Sequence, residues 1–461
     1  MKKVFVFGID GAMPEKVFGE WLDELPTIKK LMDQGYYAKL NSSIPPLSGT
    51  AWTSMTTGKR PADTGIFEYT FRKNFSYDDI HVISTNNIKE KTIWEILSEY
   101  GKKSIYCFVP ITWPIKPFNG FAISGFLTPV SDDVRLTQPP ELKSELASFL
   151  GEPIQIDIPN YRGITKEELK NETYRVTKLH LKCMKYLIEN KEWDFYFSTI
   201  MGTDRMNHNF WRYCDEGHRK YVKGNEHENT LKEFYKFIDR ELGEIIKLLD
   251  EDTTIIVLSD HGILRMHNRV NLSDWLIKEG YLVLKKPVEE KCKLEMEMID
   301  WEKTRAWAIG AFDGEIFINL EGRESKGIVK QEEYAGLINE LEERFKKILG
   351  DDGKKLDTEI FVKKRDYDGK EIDEAPDMIV YFDGLQYGCN TSLINNETLW
   401  SPQTAIGSDD AGHSKQGIFI MNSSNKKGYV GEIDILDVVP IILKEFEEGI
   451  KDDKNRLLRN N

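Results

Sequence analysis

The sequence predicts an α/β protein built on a mostly parallel, doubly wound sheet flanked by helices on both faces. Three observations predict it. Short β-branched and aromatic runs alternate with stretches of helical period, the pattern of βαβ units. The runs are almost continuously apolar, as strands covered on both faces are. Finally, 461 residues with 40% hydrophobic and 30% charged side chains can bury a large core, which excludes a collagen-like repeat, a disulfide miniprotein and a disordered chain.

Along the chain, Val4–Ile9 opens the sheet, and Ser104–Val109, 194–200, 253–258 and 417–421 continue it. Between them 91–102 reads as a helix. So do the stripe Val176, Leu179, Cys183, Leu187 and the stripe Leu231, Phe234, Ile238, Leu242, Ile245, Leu249, both at three- and four-residue spacing. Such stripes are packing faces and carry no functional weight. Two stretches leave the pattern. The first, 118–162, is rich in Pro, Gly and Asp and reads as an excursion from the sheet. The second, 285–400, reads as an inserted α+β subdomain with strands at 306–320, 359–363 and Met378–Phe382 and a helix carrying Tyr334, Leu337, Leu341, Phe345 and Ile348. The α/β core is therefore expected at 1–284 and 401–450, the insertions forming a cap, with a polar tail at 451–461.

The 63 Lys and Arg against 77 Asp and Glu leave a net charge of -14, which repels polyanions and argues against a nucleic-acid polymer as partner. Cys107, Cys183, Cys214, Cys292 and Cys389 are scattered and form no C-x-x-C pair, so neither a disulfide framework nor a cysteine zinc site is indicated and a reducing compartment is expected. The apolar run at Val4–Ile9 is cut short by Asp10, and no segment approaches 18 apolar residues. The expectation is a cytoplasmic protein with no membrane partner.

Ligands of a doubly wound sheet sit beyond the carboxyl ends of its strands, and chemistry-bearing residues gather there. Asp10 ends the first strand in Gly8-Ile9-Asp10-Gly11; alone it serves as well for a helix cap. Ser259-Asp260-His261-Gly262 follows 253–258, and two adjacent ligand-type residues reach one site only where the backbone bends, as the glycine permits. Asp204 and His208 are four apart, hence on one face of a helix, where they can chelate or form a surface ion pair. His413 lies in a loop before 417–421, with His267 the nearest rival. Six oxygen and nitrogen donors, Asp10, Asp204, Asp260, His208, His261 and His413, suffice for two three-residue metal sites with open positions. A hydroxyl-rich stretch, Pro45-Pro46-Leu47-Ser48-Gly49-Thr50-Ala51-Trp52-Thr53-Ser54, starts a short helix ending near Gly58, where a hydroxyl meets the positive helix end. The same residue types are ordinary N-caps.

In this order, Asp, hydroxyl, Asp-x-x-x-His, Asp-His-Gly and Gly-His, the sequence resembles the alkaline phosphatase superfamily, specifically its type I phosphodiesterase/nucleotide pyrophosphatase family, from Ile9-Asp10-Gly11 to the segment 433–447. The resemblance implies an alkaline-phosphatase-like fold in which Asp10, Ser48, Asp260 and His261 hold one metal and Asp204, His208 and His413 the other. It places Ser48 at the position of the nucleophilic Thr or Ser. The sequence also departs from the family. Thr50 stands where proline is common and is a rival nucleophile, Thr64-Gly65-Ile66 replaces His-Gly-Ile, and Tyr69 falls where nucleotide pyrophosphatases place an oxyanion-binding Asn, which weakens nucleotide specificity. The formylglycine signature of sulfatases is absent.

Two divalent cations against three carboxylates leave a site suited to a phosphoryl group. The donor set favours zinc, with manganese or iron also fitting. The expected activity is hydrolysis of a small phosphodiester or pyrophosphate through a phosphoserine on Ser48, with the Gly49 N–H binding a non-bridging oxygen. A phosphomonoesterase or phosphomutase of the same superfamily is the alternative, and a metal-free binding module the third.

Overall fold

The computed structural model describes residues 2–131, 133–393, 398–402, 410–422 and 425–447; the expected tail at 451–461 lies outside them. The central sheet runs in the order Gly428–Asp434, Tyr36–Asn41, Gln416–Met421, Thr254–Leu258, Val4–Ile9, Phe195–Ile200, Ser104–Val109, Gly120–Ser124, Thr137–Gln138. Only Gln416–Met421 and the two-residue edge Thr137–Gln138 run against the others, so the sheet is mostly parallel as expected. Val4–Ile9 sits at its centre, Gly8 lying beside Thr199 on one side and Leu258 on the other.

Strand alternation divides the apolar side chains between two layers. Phe5, Phe7 and Ile9 face a core with the helices Pro26–Gln34, Lys166–Asn190, Gly202–Cys214 and Thr230–Ile246. Val4 and Val6 face the other, with Ser48–Thr57, Ile93–Glu99 and Val438–Phe446. Each of these strand residues is fully buried, and burial of such a side chain stabilises the fold by about 1.5–3 kcal/mol. Both helical layers therefore clamp the strand that delivers Asp10.

Three sequence expectations change. The stretch 118–162 is not wholly an excursion: Gly120–Ser124 pairs in parallel with Ser104–Val109 and extends the sheet. The second sheet begins before 285, because Asn268–Asn271 pairs in parallel with Tyr387–Asn390 and Leu272, Trp275 and Leu276 of the next helix lie in the second core. The expected strand 306–320 is a hairpin of Ala306–Ile309 and Gly314–Ile318. Its turn uses Gly310 at φ +118°, where a Cβ would lie 2.2 Å from the Asp313 carbonyl oxygen. No helix among the described residues is long and apolar enough to cross a membrane.

Candidate active site

The carboxyl ends of Val4–Ile9, Phe195–Ile200 and Thr254–Leu258 meet at one point, and six of the candidate residues converge there. Asp10 leaves the first strand and Gly11 turns the chain at φ +68°. The Gly11 N–H donates to Asp260 Oδ1 at 3.2 Å, tying the first strand end to the third. Asp204 and His208 stand one turn apart on Gly202–Cys214, the helix that follows Phe195–Ile200. His413 arrives from far along the chain on a two-stranded ribbon, Gly262–Arg265 against Ala411–Ser414, with Ile263 opposite His413. Ser48 is the first residue of Ser48–Thr57.

Two clusters result: Asp10, Asp260 and His261, and Asp204, His208 and His413, each with its ligand atoms within 4.8 Å of one another and every residue buried. In the first, His261 Nε2 lies 3.1 Å from Asp260 Oδ2 and 3.7 Å from Asp10 Oδ1. In the second, His208 Nε2 lies 3.1 Å from Asp204 Oδ1 and His413 Nε2 3.7 Å from it. The His261 and His413 rings stack at 3.7 Å, which places the clusters side by side. Ser48 Oγ joins the first, 3.3 Å from Asp10 Oδ1 and 3.2 Å from His261 Nε2. His267, the rival ligand, is exposed and belongs to neither cluster.

The donor chemistry fits a pair of divalent cations. His208, His261 and His413 each place Nδ1 against a backbone carbonyl, of Ala411 at 3.1 Å, Gly262 at 2.9 Å and Pro46 at 2.7 Å. An Nδ1–H donated to a carbonyl leaves Nε2 as a lone pair, the tautomer that binds a metal. The Nε2 atoms of His208 and His413 then face each other at 3.1 Å, an arrangement that repels unless a cation lies between the lone pairs. Asp204 Oδ1 and Asp260 Oδ2 are buried without a hydrogen bond among the described residues, the first facing His208 Nε2 and the second His261 Nε2. Buried acceptors left in that state are costly, and a metal ion satisfies them.

Electrostatics agree. Burial, and then repulsion from Asp260 and Asp204, pushes the Asp10 carboxyl well above its usual range, and burial does the same to Asp260. Burial pushes the Asp204 carboxyl up too, but His208 and Arg205 hold it below the usual range. Burial lowers His261 and His413, so both imidazoles stay neutral. Three carboxyl groups packed with three imidazoles in a dry site need positive charge, and Arg205 does not supply it. Its guanidinium donates to Asp204 Oδ2 at 3.0 Å and is matched by Asp157 at 2.6 Å.

The hydroxyl stretch is sorted by geometry. Thr50 Oγ1 donates to the Phe67 carbonyl at 2.9 Å, away from the clusters, whereas Ser48 Oγ faces them. The Gly49 N–H lies in the first helical turn with no backbone acceptor among the described residues. The Tyr69 ring covers that turn, where a Cβ on Gly49 would sit 3.2 Å from Tyr69 Cε1. Sequence reasoning missed two supports. Trp52 Nε1 donates to Asp10 Oδ2 at 2.6 Å, and its place four residues after Ser48, one helical turn on, was the available signal. Phe312, at the tip of the inserted hairpin, stacks on His413 at 4.3 Å, and no sequence pattern marks it. Trp52→Phe removes the Asp10 hydrogen bond while keeping a ring, and metal affinity is expected to fall about 10- to 100-fold in a chelator competition titration.

Comparisons with known proteins follow this geometry. The sequence model of the family described as type I phosphodiesterase / nucleotide pyrophosphatase matches residues 4–392. Among curated proteins no sequence match was found. Among solved structures, phosphonoacetate hydrolase from Sinorhizobium meliloti 1021 in complex with phosphonoformate superposes with a TM-score of 0.60 at 14% identity, covering 96% of this chain and 95% of that one. An inactive murine ectonucleotide pyrophosphatase / phosphodiesterase 5 in complex with AMP does so with a TM-score of 0.55 at 11% identity, covering 97% and 95%. The human ectonucleotide pyrophosphatase / phosphodiesterase 5 gives 0.51 at 13% identity, covering 96% and 94%. At these identities the likeness is one of fold.

Proposed function

The chain belongs to the type I phosphodiesterase / nucleotide pyrophosphatase family and is a phosphoric ester hydrolase, and we propose that it cleaves a small phosphodiester or pyrophosphate through a phosphoserine on Ser48. The observation that carries this reading is the position of Ser48 Oγ, buried at a helix start within 3.3 Å of both Asp10 and His261. Asp10, Asp260, His261 and Ser48 would hold one divalent cation and Asp204, His208 and His413 a second, zinc by donor type with manganese or iron also accommodated. Such ions supply Lewis-acid polarisation of the phosphoryl oxygens and lower the pKa of a bound hydroxyl or water.

The chain's own groups do the rest. Ser48 Oγ attacks phosphorus in line, forming the Oγ–P bond as the P–O bond to the leaving alcohol or phosphate breaks; water then cleaves the Oγ–P bond and frees Ser48. The Gly49 N–H, at the positive end of Ser48–Thr57, is placed to donate to a non-bridging oxygen. Trp52 and the three carbonyls fix the carboxylate and imidazole orientations before substrate arrives.

The charge balance favours a diester over a monoester. Arg205 is matched by Asp157 and Arg60 is paired with Asp63, so neither arginine is left to meet the extra charge of a monoester. The test is a panel of aryl phosphomonoesters and phosphodiesters assayed with zinc, manganese or iron. A diester kcat/KM at least about 10-fold above the monoester value is expected, a difference of about 1.4 kcal/mol in transition-state binding. Turnover of the aryl diester with alcohol release and no phosphosugar present separates hydrolysis from phosphoryl transfer between sugars. We further propose a cytoplasmic location, for which five free cysteines speak, and measurement of their redox state in cells tests it.

A further inference from the structure

A second group of carboxylates lies beside this site and is not explained by it. Glu68 and Glu315 line a cavity of about 60 Å³ between the Gly65–Ile83 stretch and the hairpin of the inserted sheet. Asp313 stands two residues before Glu315, just ahead of the strand Gly314–Ile318, and each of the two is 1% exposed. Both Asp313 carboxylate oxygens and Glu315 Oε1 have no hydrogen-bond partner among the described residues, and Glu68 accepts only from the Tyr69 N–H at 2.7 Å. The three feel one another: burial and then Glu68 raise Asp313 to about 8, and burial, Glu68 and Asp313 push Glu315 well above its usual range. Arg72 lines the same cavity, its guanidinium engaged 4.9 Å over the Trp307 ring and 3.3 Å from Glu324. The carboxylates do not converge as the two active-site clusters do, so this is not a third metal cage. An organic cation with several N–H donors can span oxygens that a single ion cannot, and the walls beside Glu68 are the rings of Phe67 and Phe71, which favour a cation.

The cavity is next to the reacting centre. Tyr69, between the cavity residues Glu68 and Thr70, covers Gly49, the chain neighbour of Ser48, while Phe312, the neighbour of Asp313, stacks on His413. Resting on the phosphoric ester hydrolase reading above, we infer that this cavity binds a primary ammonium group on an esterifying alcohol of the substrate, with Glu68 and Glu315 as its counter-charge. The preferred substrate is then an aminoalkyl or amino-sugar phosphodiester.

Two probes that differ in one group test this: p-nitrophenyl 2-aminoethyl phosphate and p-nitrophenyl 2-hydroxyethyl phosphate, turned over by the zinc-loaded full chain. The aminoethyl ester is expected to have a kcat/KM at least about 10-fold higher, and the ratio to fall toward one in Glu315→Gln and in Glu68→Gln. A ratio near one in the native enzyme, or a ratio kept by both variants, overturns the inference. If neither ester is turned over, it is the hydrolase reading that fails. The pocket is then decided by thermal denaturation with ethanolamine phosphate against 2-hydroxyethyl phosphate. A larger rise in Tm with the amine that is lost in the variants supports the subsite, and equal rises overturn it.

Discussion

Ser48→Ala is expected to lower kcat/KM for an aryl phosphodiester by about 1000-fold or more, while leaving Tm close to that of the native chain. The size follows from the role. A nucleophile that forms the Oγ–P bond has no neighbour to replace it, and the nearest other hydroxyl in the motif, Thr50, is turned to the Phe67 carbonyl at 2.9 Å. Thr50→Ala is accordingly expected to cost less than about 10-fold, chiefly through the lost backbone hydrogen bond. Rapid quench of the native enzyme with a labelled diester should trap label on Ser48 and on no other hydroxyl. Full activity in Ser48→Ala combined with loss in Thr50→Ala would refute the assignment of the nucleophile.

Asp204→Asn and His413→Ala are expected to reduce bound divalent metal from about two ions to about one per chain, with activity falling by about 100-fold or more. Each substitution strips a donor from the cluster that includes His208 and leaves Asp10, Asp260 and His261 intact. Asp260→Asn makes the reciprocal change in the other cluster. Metal emission analysis after dialysis, read beside Tm, separates loss of an ion from loss of the fold. Asp204→Asn carries a second consequence: Arg205, fully buried between Asp204 and Asp157, loses one of its two carboxylate partners, so this variant should also be the less stable of the pair. Unchanged metal content in both variants would remove the second cation from the mechanism.

Much of the architecture was legible because the central strands are buried on both faces. Val4–Ile9, Ser104–Val109, Phe195–Ile200, Thr254–Leu258 and Gln416–Met421 read as apolar runs, and their structural ends fall within one residue of expectation. The strands that escaped notice are those for which that signal fails. Tyr36–Asn41 alternates buried and half-buried residues and carries Lys39; Gly428–Asp434 is an edge strand with mostly exposed side chains; Gly120–Ser124 is short and sits in a Pro- and Gly-rich stretch. The early start of the second sheet was hidden for a related reason. Asn268–Asn271 reads Asn-Arg-Val-Asn, polar in sequence and fully buried by pairing with Tyr387–Asn390.

The sequence by itself determined which residues could do the chemistry: strand ends carry Asp10 and Asp260, helical spacing sets His208 one turn from Asp204, and a helix start carries Ser48. These follow from local rules, since a strand's period and a helix's turn are fixed within a few residues. Only the tertiary structure decided how those residues meet. The ribbon that seats His413 beside His261 joins segments about 150 positions apart, the carbonyls of Pro46, Gly262 and Ala411 select the imidazole tautomers, and Phe312 reaches His413 from the hairpin of an inserted sheet. Such contacts depend on long-range pairing and on backbone atoms that every residue shares, so no run of side chains announces them.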